Sequence, residues 1–590
     1  MSKAHGQVRQ SQVITTYGPG ALIDLPKHAA IVGGLDTWPR GLDEVGEPRL
    51  TRILGNLTGV PSPRLYEPPP APSEPWAPAR GIGVWRFPEW FIVQEPRGDG
   101  RERARRLVHR KALEQGRFEG LEVVPTRFVR ACPRGHVDDL PWTRFVHGEG
   151  DYCRRQLWLD ESGTTGDLSE LSVRCECGKR RLLLEATELD QNPLGTCSGA
   201  RPWLGNHTEE HCNQPSRLLI RTASNAWFPQ VLSVLSLPDT GGSVERAVRD
   251  VWDILQAVDS PATLEAFMRI PNVAERLVGF DREEILQAIA VVRGDAGGER
   301  NVKDMELDAL LGAPEGYGDD VPIDPNFHAR RLPEHSWRRS GTSDGIAAVV
   351  QLHRLREVVS LIGFTRLEAA TRDIHGEYDT DVERAEIALD PSWFPAVENR
   401  GEGVFVQLRT DAVNAWRLRE QVRHRQRDLA EGYRSWAETR KVKHPFPGVA
   451  YILLHTLAHV LIQSLAMRCG YPATSIRERI YVESGRYGLL LYTGTPDAEG
   501  TLGGLVQQGR LIEDHLADAL RMAQLCSNDP ICAQHAPGES LEQRWLHGAA
   551  CHGCALIAET SCEMRNDFLD RALVVPVLGV DDAAFFSTSP

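Results

Sequence analysis

The placement of cysteine constrains this chain more than any other feature. Twelve cysteines occur in 590 residues, and five of them lie between Cys526 and Cys562 while six lie between Cys132 and Cys212. The C-terminal zone reads LCSNDPIC, then GAACHGC, then TSCE. Zinc takes four soft or borderline ligands in a tetrahedron, and two close pairs joined by a turn supply them. The N-terminal MSKAHGQVRQSQ has no apolar core behind its basic residues, so neither a secretory signal nor a transit peptide is expected. A cytoplasmic, reducing location follows, and it disfavours disulfides. The expected ligands are four of Cys526, Cys532, Cys551, Cys554 and Cys562, with Cys551-x2-Cys554 the sharpest element. Spacing does not say which thiol is spare. An all-thiolate site is closed and structural, without an open position for water. An iron–sulfur cluster is the lesser alternative, because the spacing fits no standard ferredoxin pattern. Simple buried thiols are the other.

The N-terminal zone contains CPRGH at 132–136, Cys153, CECG at 175–178, Cys197 and Cys212. CPRGH and CECG have the form of zinc knuckles, in which a glycine allows the tight bend and backbone N–H groups face sulfur. The candidate ligands for a second site are Cys132, His136, Cys153, Cys175, Cys177, Cys197 and Cys212. His207 and His211 are further candidates, and one site is favoured over two.

Around these zones the pattern predicts a multidomain α+β protein. Hydrophobic residues make up 41% and charged residues 25%, the balance of an ordinary globular chain. Residues 1–119 read as β-rich with a Pro-rich excursion, and 120–238 as a zinc-ribbon-like insert. Residues 239–333 read as a helical middle and linker, and 334–590 as an α/β domain ending in a Cys-rich metal knuckle. Within the last, DGIAAVVQLHRLREVVSLIGFTRLEA is expected to be a helix followed by a strand, and TDAVNAWRLREQVRHRQRDLAEGYRSWAETR one long helix. Val449 to Met467 is nearly long enough to span a bilayer, but His455, Thr456, His459, Gln463 and Ser464 are costly in hydrocarbon. A buried soluble helix is expected, with no membrane partner.

Several motifs are weighed and set aside. His455-x3-His459 puts two imidazoles on one helix face, but Thr456 stands where a zincin needs its glutamate, so hydrogen-bonded core histidines are favoured. The glycine-bearing TPDAEGTLGG at 495–504 lacks the Lys-Ser/Thr of a phosphate-binding motor loop and is read first as a turn, with an anion site at the following helix as the alternative. No nucleotide motor is visible. The net charge of −14 excludes a surface that is basic throughout, so any nucleic-acid contact must be local. The basic runs at 101–111 and 417–427 are the candidates, with solvated helix faces as the default reading.

The opening RQSQVITTYGPGALIDL, VGGLDTW at 32–38, RLREVVSLIGFTRL, LLHTLAHVLI and GAACHGC-x7-CE-x2-N-x2-LDR together resemble the DrmB family, subunits of DISARM bacterial anti-phage systems. The C-terminal unit also resembles the MrfA-type zinc-binding domain found on certain DNA-repair helicases. The resemblance implies zinc held by ligands among the five C-terminal cysteines. It also implies a DrmA-like helicase as partner and engagement of invading DNA through that complex.

The expected function is therefore a non-catalytic accessory subunit. The alternative is a metal-dependent nuclease or hydrolase built on His455, His459 and an acidic partner such as Asp497 or Glu499.

Overall fold

The computed structural model describes residues 6–25, 28–70, 81–95, 103–150, 153–163, 165–188, 190–205, 208–238, 243–293, 301–322, 324–376, 378, 383–494, 504–538, 544–580 and 582–586. The core of the Pro-rich excursion, at 71–80, lies outside them. Two compact units are present. The first comprises Met1–Val234, Val358–Arg372 and Gly376–Asn399, and the second Leu235–Glu357, Asp373–His375 and Arg400–Pro590.

The first unit is rich in short strands. Its largest sheet runs Arg180–Leu182, Leu171–Cys175, Leu157–Glu161, Arg103–His109, Trp90–Val93, Val123–Pro125. Alternation sets which face is buried: Leu157 and Leu159 point into a core with Leu107, Leu171 and Val173, and Trp142 and Phe145 of the helix Trp142–His147 close it. In register, Leu157 faces Leu107 on one side and Cys175 on the other, so the first CECG cysteine ends its strand at the core margin. A smaller sheet of Arg217–Ile220, Phe128–Ala131 and Val137–Asp139 turns through CPRGH. Arg366 is fully buried beside that turn and donates to Gly135 O at 2.8 Å and Gly20 O at 2.6 Å, so carbonyls rather than a carboxylate receive its charge. Burial holds its guanidinium down to about 9. At the start of the chain, Gln10–Thr15 is a helix where short strands were expected, because the Gln12 side chain accepts the Arg9 N–H at 3.1 Å and caps the first turn.

The second unit is layered. Antiparallel pairs Gly403–Leu408 with Tyr487–Tyr492, and Ile476–Glu483 with Arg486–Thr493, form its sheet. The tight hairpin between the last two strands uses Ser484 and Gly485, both at positive φ. On one face lies the helix Val449–Cys469, long and apolar enough to cross a bilayer, yet with 89% of its most apolar window buried. It packs on Ile480, Leu489 and Leu491 and against Leu516, Ala519 and Leu520 of Ile512–Ala523, which is why it is apolar all round. On the other face, Leu307 and Leu310 of Val302–Leu311 meet Leu352, Phe405, Tyr481 and Leu490. The helical middle packs its own core from Val248, Leu255, Leu264, Val273, Ile285 and Ile289.

Two expected elements differ. Ile346–Thr365 is one 20-residue strand, not a helix and a strand. Val349, Val350, Leu352, Leu355 and Val358 are all buried, and a strand covered on both faces loses the alternation that would mark it. The expected long helix is two, Thr410–Arg417 and Glu420–Arg440, broken where Arg419 turns extended and its guanidinium donates to Ala584 O at 3.0 Å.

Candidate metal centres

Four clusters of thiol, imidazole and carboxylate groups stand out among the described residues, each with four ligand atoms within 4.8 Å of one another. The first joins Cys526, Cys532, Cys551 and Cys554. Sγ separations are 3.4 Å for Cys526–Cys551, 3.7 Å for Cys532–Cys554 and 3.8 Å for Cys551–Cys554. A zinc–sulfur bond of about 2.3 Å gives a tetrahedral edge of about 3.8 Å, so these four thiols fit the ion. Local turns aim donors at sulfur: Asn528 N at 3.4 Å from Cys526 Sγ, Gly553 N at 3.3 Å from Cys551 Sγ, and the Asn528 side-chain amide at 3.3 Å from Cys551 Sγ. Burial opposes ionisation of Cys551, but the Asn528 amide and Cys526 outweigh it and hold the thiol down to about 7. Cys554 and burial push Cys532 up. Four thiols this close cannot all ionise without a cation between them.

The frame around this quartet is ionic and buried. Arg425 donates to Asp570 at 2.6 and 3.2 Å, and Asp570 also accepts Ala549 N–H at 3.0 Å and Ala572 N–H at 3.1 Å. Arg571 pairs with Asp529, whose backbone lies between two of the cysteines.

The fifth C-terminal cysteine is elsewhere. Cys562 Sγ lies 3.1 Å from His455 Nε2, in a cluster completed by His459 and Glu478. The two histidines are buried and hydrogen-bonded, as expected, with His455 Nδ1 at 3.2 Å from Phe568 O and His459 Nδ1 at 2.7 Å from Ala555 O. Their other nitrogens meet a carboxylate that the residue pattern did not mark: Glu478 Oε1 lies 2.9 Å from His455 Nε2 and 3.3 Å from His459 Nε2. Asp497 and Glu499, the acidic partners considered from sequence, lie outside the described residues.

The N-terminal candidates fall into two groups rather than one. Cys132, His136, Cys197 and Cys212 form one, with His136 Nδ1 at 3.3 Å from Cys132 Sγ and its Nε2 at 2.8 Å from Glu210 Oε1. A carboxylate behind a histidine fixes the orientation of the ring, a support common at metal ligands. The Cys132 thiol holds Cys197 down to about 4. Gly135, at φ +87°, closes the knuckle, and a Cβ there would meet the Ala385 Cβ at 2.5 Å. His147, Cys153, Cys175 and Cys177 form the other group, with His147 Nε2 at 3.3 Å from Cys177 Sγ and Cys153 Sγ at 3.6 Å from Cys175 Sγ. The Lys179 backbone N–H, then His147, hold Cys177 down to about 6. His147 was missed from sequence, although it stands six residues before Cys153. His211 is exposed and belongs to neither group, and His207 lies outside the described residues.

The basic runs are largely engaged. The first is a strand, Arg103–His109, not a helix face. Arg105 pairs with Glu161, Arg106 with Glu95 at 2.5 Å, and Arg110 with Glu89 at 2.9 Å; Arg101 and Glu102 lie outside the described residues. In the second run Arg425 is the buried partner of Asp570, whereas Arg423 and Arg427 are exposed, as is Arg434 further along the same helix. At 100° per residue those three lie within about 40° of one another around the helix. Most of TPDAEGTLGG lies outside the described residues, and the helix that follows has its Leu505 N–H already taken by Glu402 Oε1 at 2.7 Å.

Comparison with known proteins bears on the C-terminal quartet. Residues 457–555 match the MrfA Zn-binding domain, a span that contains Cys526, Cys532, Cys551 and Cys554 and stops short of Cys562. Zinc is therefore a cofactor of this chain. Residues 9–228 match a domain of unknown function (DUF8724), which takes in both N-terminal groups. Across 487 residues the chain is 31% identical to the DISARM protein DrmB of Bacillus paralicheniformis, covering 78% of this chain and 82% of that protein. With likeness of that extent, and a zinc-binding domain where the thiol quartet lies, the chain belongs to the DrmB family of DISARM proteins.

Proposed function

We propose that the protein is a cytoplasmic, non-catalytic subunit of an anti-phage DISARM system, pairing with a DrmA-like helicase and helping that complex engage invading DNA. The observation that carries the reading is the 31% identity to a DISARM protein over 78% of the chain. In this role Cys526, Cys532, Cys551 and Cys554 hold zinc. Four thiolates complete its coordination, so the ion shapes a docking module and leaves no position for an activated water. Cys132, His136, Cys197 and Cys212, and separately His147, Cys153, Cys175 and Cys177, staple the β-rich unit in the same way.

DNA contact is assigned to the exposed face of Glu420–Arg440 that carries Arg423, Arg427 and Arg434, which have no ion-pair partner among the described residues. Such a stripe binds phosphate through counterion release, so retention weakens steeply with salt. The alternative is a metal-dependent nuclease or hydrolase, and there the carboxylate beside His455 and His459 is Glu478, with the side chains of all three fully buried.

The test mixes full-length protein with its cognate DISARM helicase at physiological salt. One co-eluting complex that retains duplex DNA is expected, and the charge reversal R423E/R427E/R434E should lower DNA retention at least fivefold while leaving co-elution intact. Two independent peaks would refute the pairing, and unchanged DNA retention in the variant would refute the assigned face.

A further inference from the structure

We propose that His455, His459, Glu478 and Cys562 form a second metal site in the C-terminal unit, distinct from the thiol quartet and selective for a borderline divalent ion of the zinc class. All four side chains are buried. They come from three separate places: the helix Val449–Cys469, the strand Ile476–Glu483 and the segment after the second thiol pair.

Hydrogen bonding sets the direction of each donor. The Phe568 and Ala555 carbonyls accept from Nδ1 of His455 and His459, at 3.2 and 2.7 Å. With the proton on Nδ1, a neutral ring presents its Nε2 lone pair to the centre of the cluster. Both lone pairs then face Glu478 Oε1, itself an acceptor, at 2.9 and 3.3 Å. Cys562 Sγ accepts from Met564 N at 3.3 Å and Asn566 N at 3.1 Å, an arrangement suited to a thiolate. Once Cys562 is ionised, four lone pairs converge on one point, where a single cation would bind them all.

Protons meet that need only one contact at a time, by sitting on Cys562 and Glu478 or on two imidazoles whose centroids lie 4.6 Å apart. A divalent ion meets it with a single particle. Its two positive charges match one carboxylate and one thiolate, and Cys562 releases its proton to solvent on binding. The site is then neutral overall, which is the condition for burying charge at low cost. Glu478 Oε2 is also buried without a hydrogen-bond partner, and leaning toward the ion would give it one. Two imidazoles, one carboxylate and one thiolate suit zinc better than magnesium or calcium, which take oxygen, or copper(I), which takes sulfur. With ligands from three places, the ion would pin the central helix to the sheet and to the C-terminal segment.

This inference does not rest on the helicase-partner reading, and its test is independent of it. Crystals of the full-length protein, grown without chelator, are measured at the zinc absorption edge. An anomalous peak bounded by His455 Nε2, His459 Nε2, a Glu478 oxygen and Cys562 Sγ is expected in addition to the peak within the thiol quartet. Density for direct His–Glu hydrogen bonds, with no peak between them, would overturn the proposal. Elemental analysis gives a second readout: Cys562→Ala should lose one metal ion per chain, and E478Q should lower retention of the same ion against a mild chelator at least tenfold. A soluble Cys562→Ala variant with an unchanged metal count would also overturn it. Should that variant not fold, the wild-type anomalous map decides alone.

Discussion

The two cysteine-rich regions use the same chemistry in different surroundings. At the C-terminal end the quartet sits beside the main core of its unit, and Cys532, Cys551 and Cys554 are buried. In the N-terminal region Cys132, His136, Cys175 and Cys212 are buried as well, but Cys177 is exposed, and Cys153, Cys197 and His147 are half-buried. The contrast teaches that ligand count alone does not set what a metal is worth to a fold. Where the ligands are mostly buried, losing the ion leaves packed thiols that cannot all stay ionised and must take up protons. Where they include an exposed position, as His147, Cys153, Cys175 and Cys177 do beside a core of Leu107, Leu157, Leu159 and Trp142, water can reach the vacated groups.

The largest break in this comparison should come from C551A/C554A. Structural zinc contributes about 10–16 kcal/mol in small domains that depend on it entirely. Here the variant should abolish cooperative unfolding of the second unit in calorimetry while the first unit's transition persists. A change of less than about 2 kcal/mol would mean the quartet is incidental to the core.

Next comes the ionic frame. Asp570→Ala leaves Arg425 buried without its carboxylate and strips acceptors from Ala549 N–H and Ala572 N–H. A cost of about 3–5 kcal/mol is expected in denaturant titration, because an uncompensated buried charge remains.

A smaller effect depends on pH. Burial, and then Arg468, hold His515 down to about 4 from its ordinary 6.5, and its Nε2 lies 2.9 Å from Gln508 Oε1. A histidine whose folded pKa is depressed favours the folded state above its unfolded pKa, and that stability is lost as pH falls from about 6.5 toward 4. Taking the protein from pH 7 to 5 should remove about 2 kcal/mol from the second unit. H515Q should flatten that slope. An unchanged slope would place the acid sensitivity elsewhere.

The smallest effect sharpens the contrast from the other side. Cys177→Ser replaces an exposed ligand and should cost the first unit about 1 kcal/mol or less, a size typical of exposed positions. The group of His147, Cys153, Cys175 and Cys177 should give up metal to a chelator at least tenfold faster than the quartet does. Equal release rates would remove the distinction drawn from burial.

Much of this was legible from the residues, and the reasons differ by element. Cysteine spacing marked both zones, because metal ligands must be close in space and turns keep them close in sequence. The central helix was visible because its apolar run is bounded by Gly and Pro. The strand Ile346–Thr365 was not, since burial on both faces erased its period. Glu478 carried no local signal at all: it is one of several charged residues in a strand, and only the fold sets it beside two histidines. For the same reason spacing could not tell that Cys562 stands apart from Cys526, Cys532, Cys551 and Cys554. It lies only eight residues past Cys554, yet it faces the central helix.

The central claim is that a thiolate-held ion shapes the C-terminal module. Its most direct test is the zinc content of full-length protein purified without added metal or chelator, compared with C551A/C554A. The account predicts tightly held zinc in the wild type, with at least one ion per chain lost in the variant. Wild-type protein that is fully folded and free of zinc would contradict it.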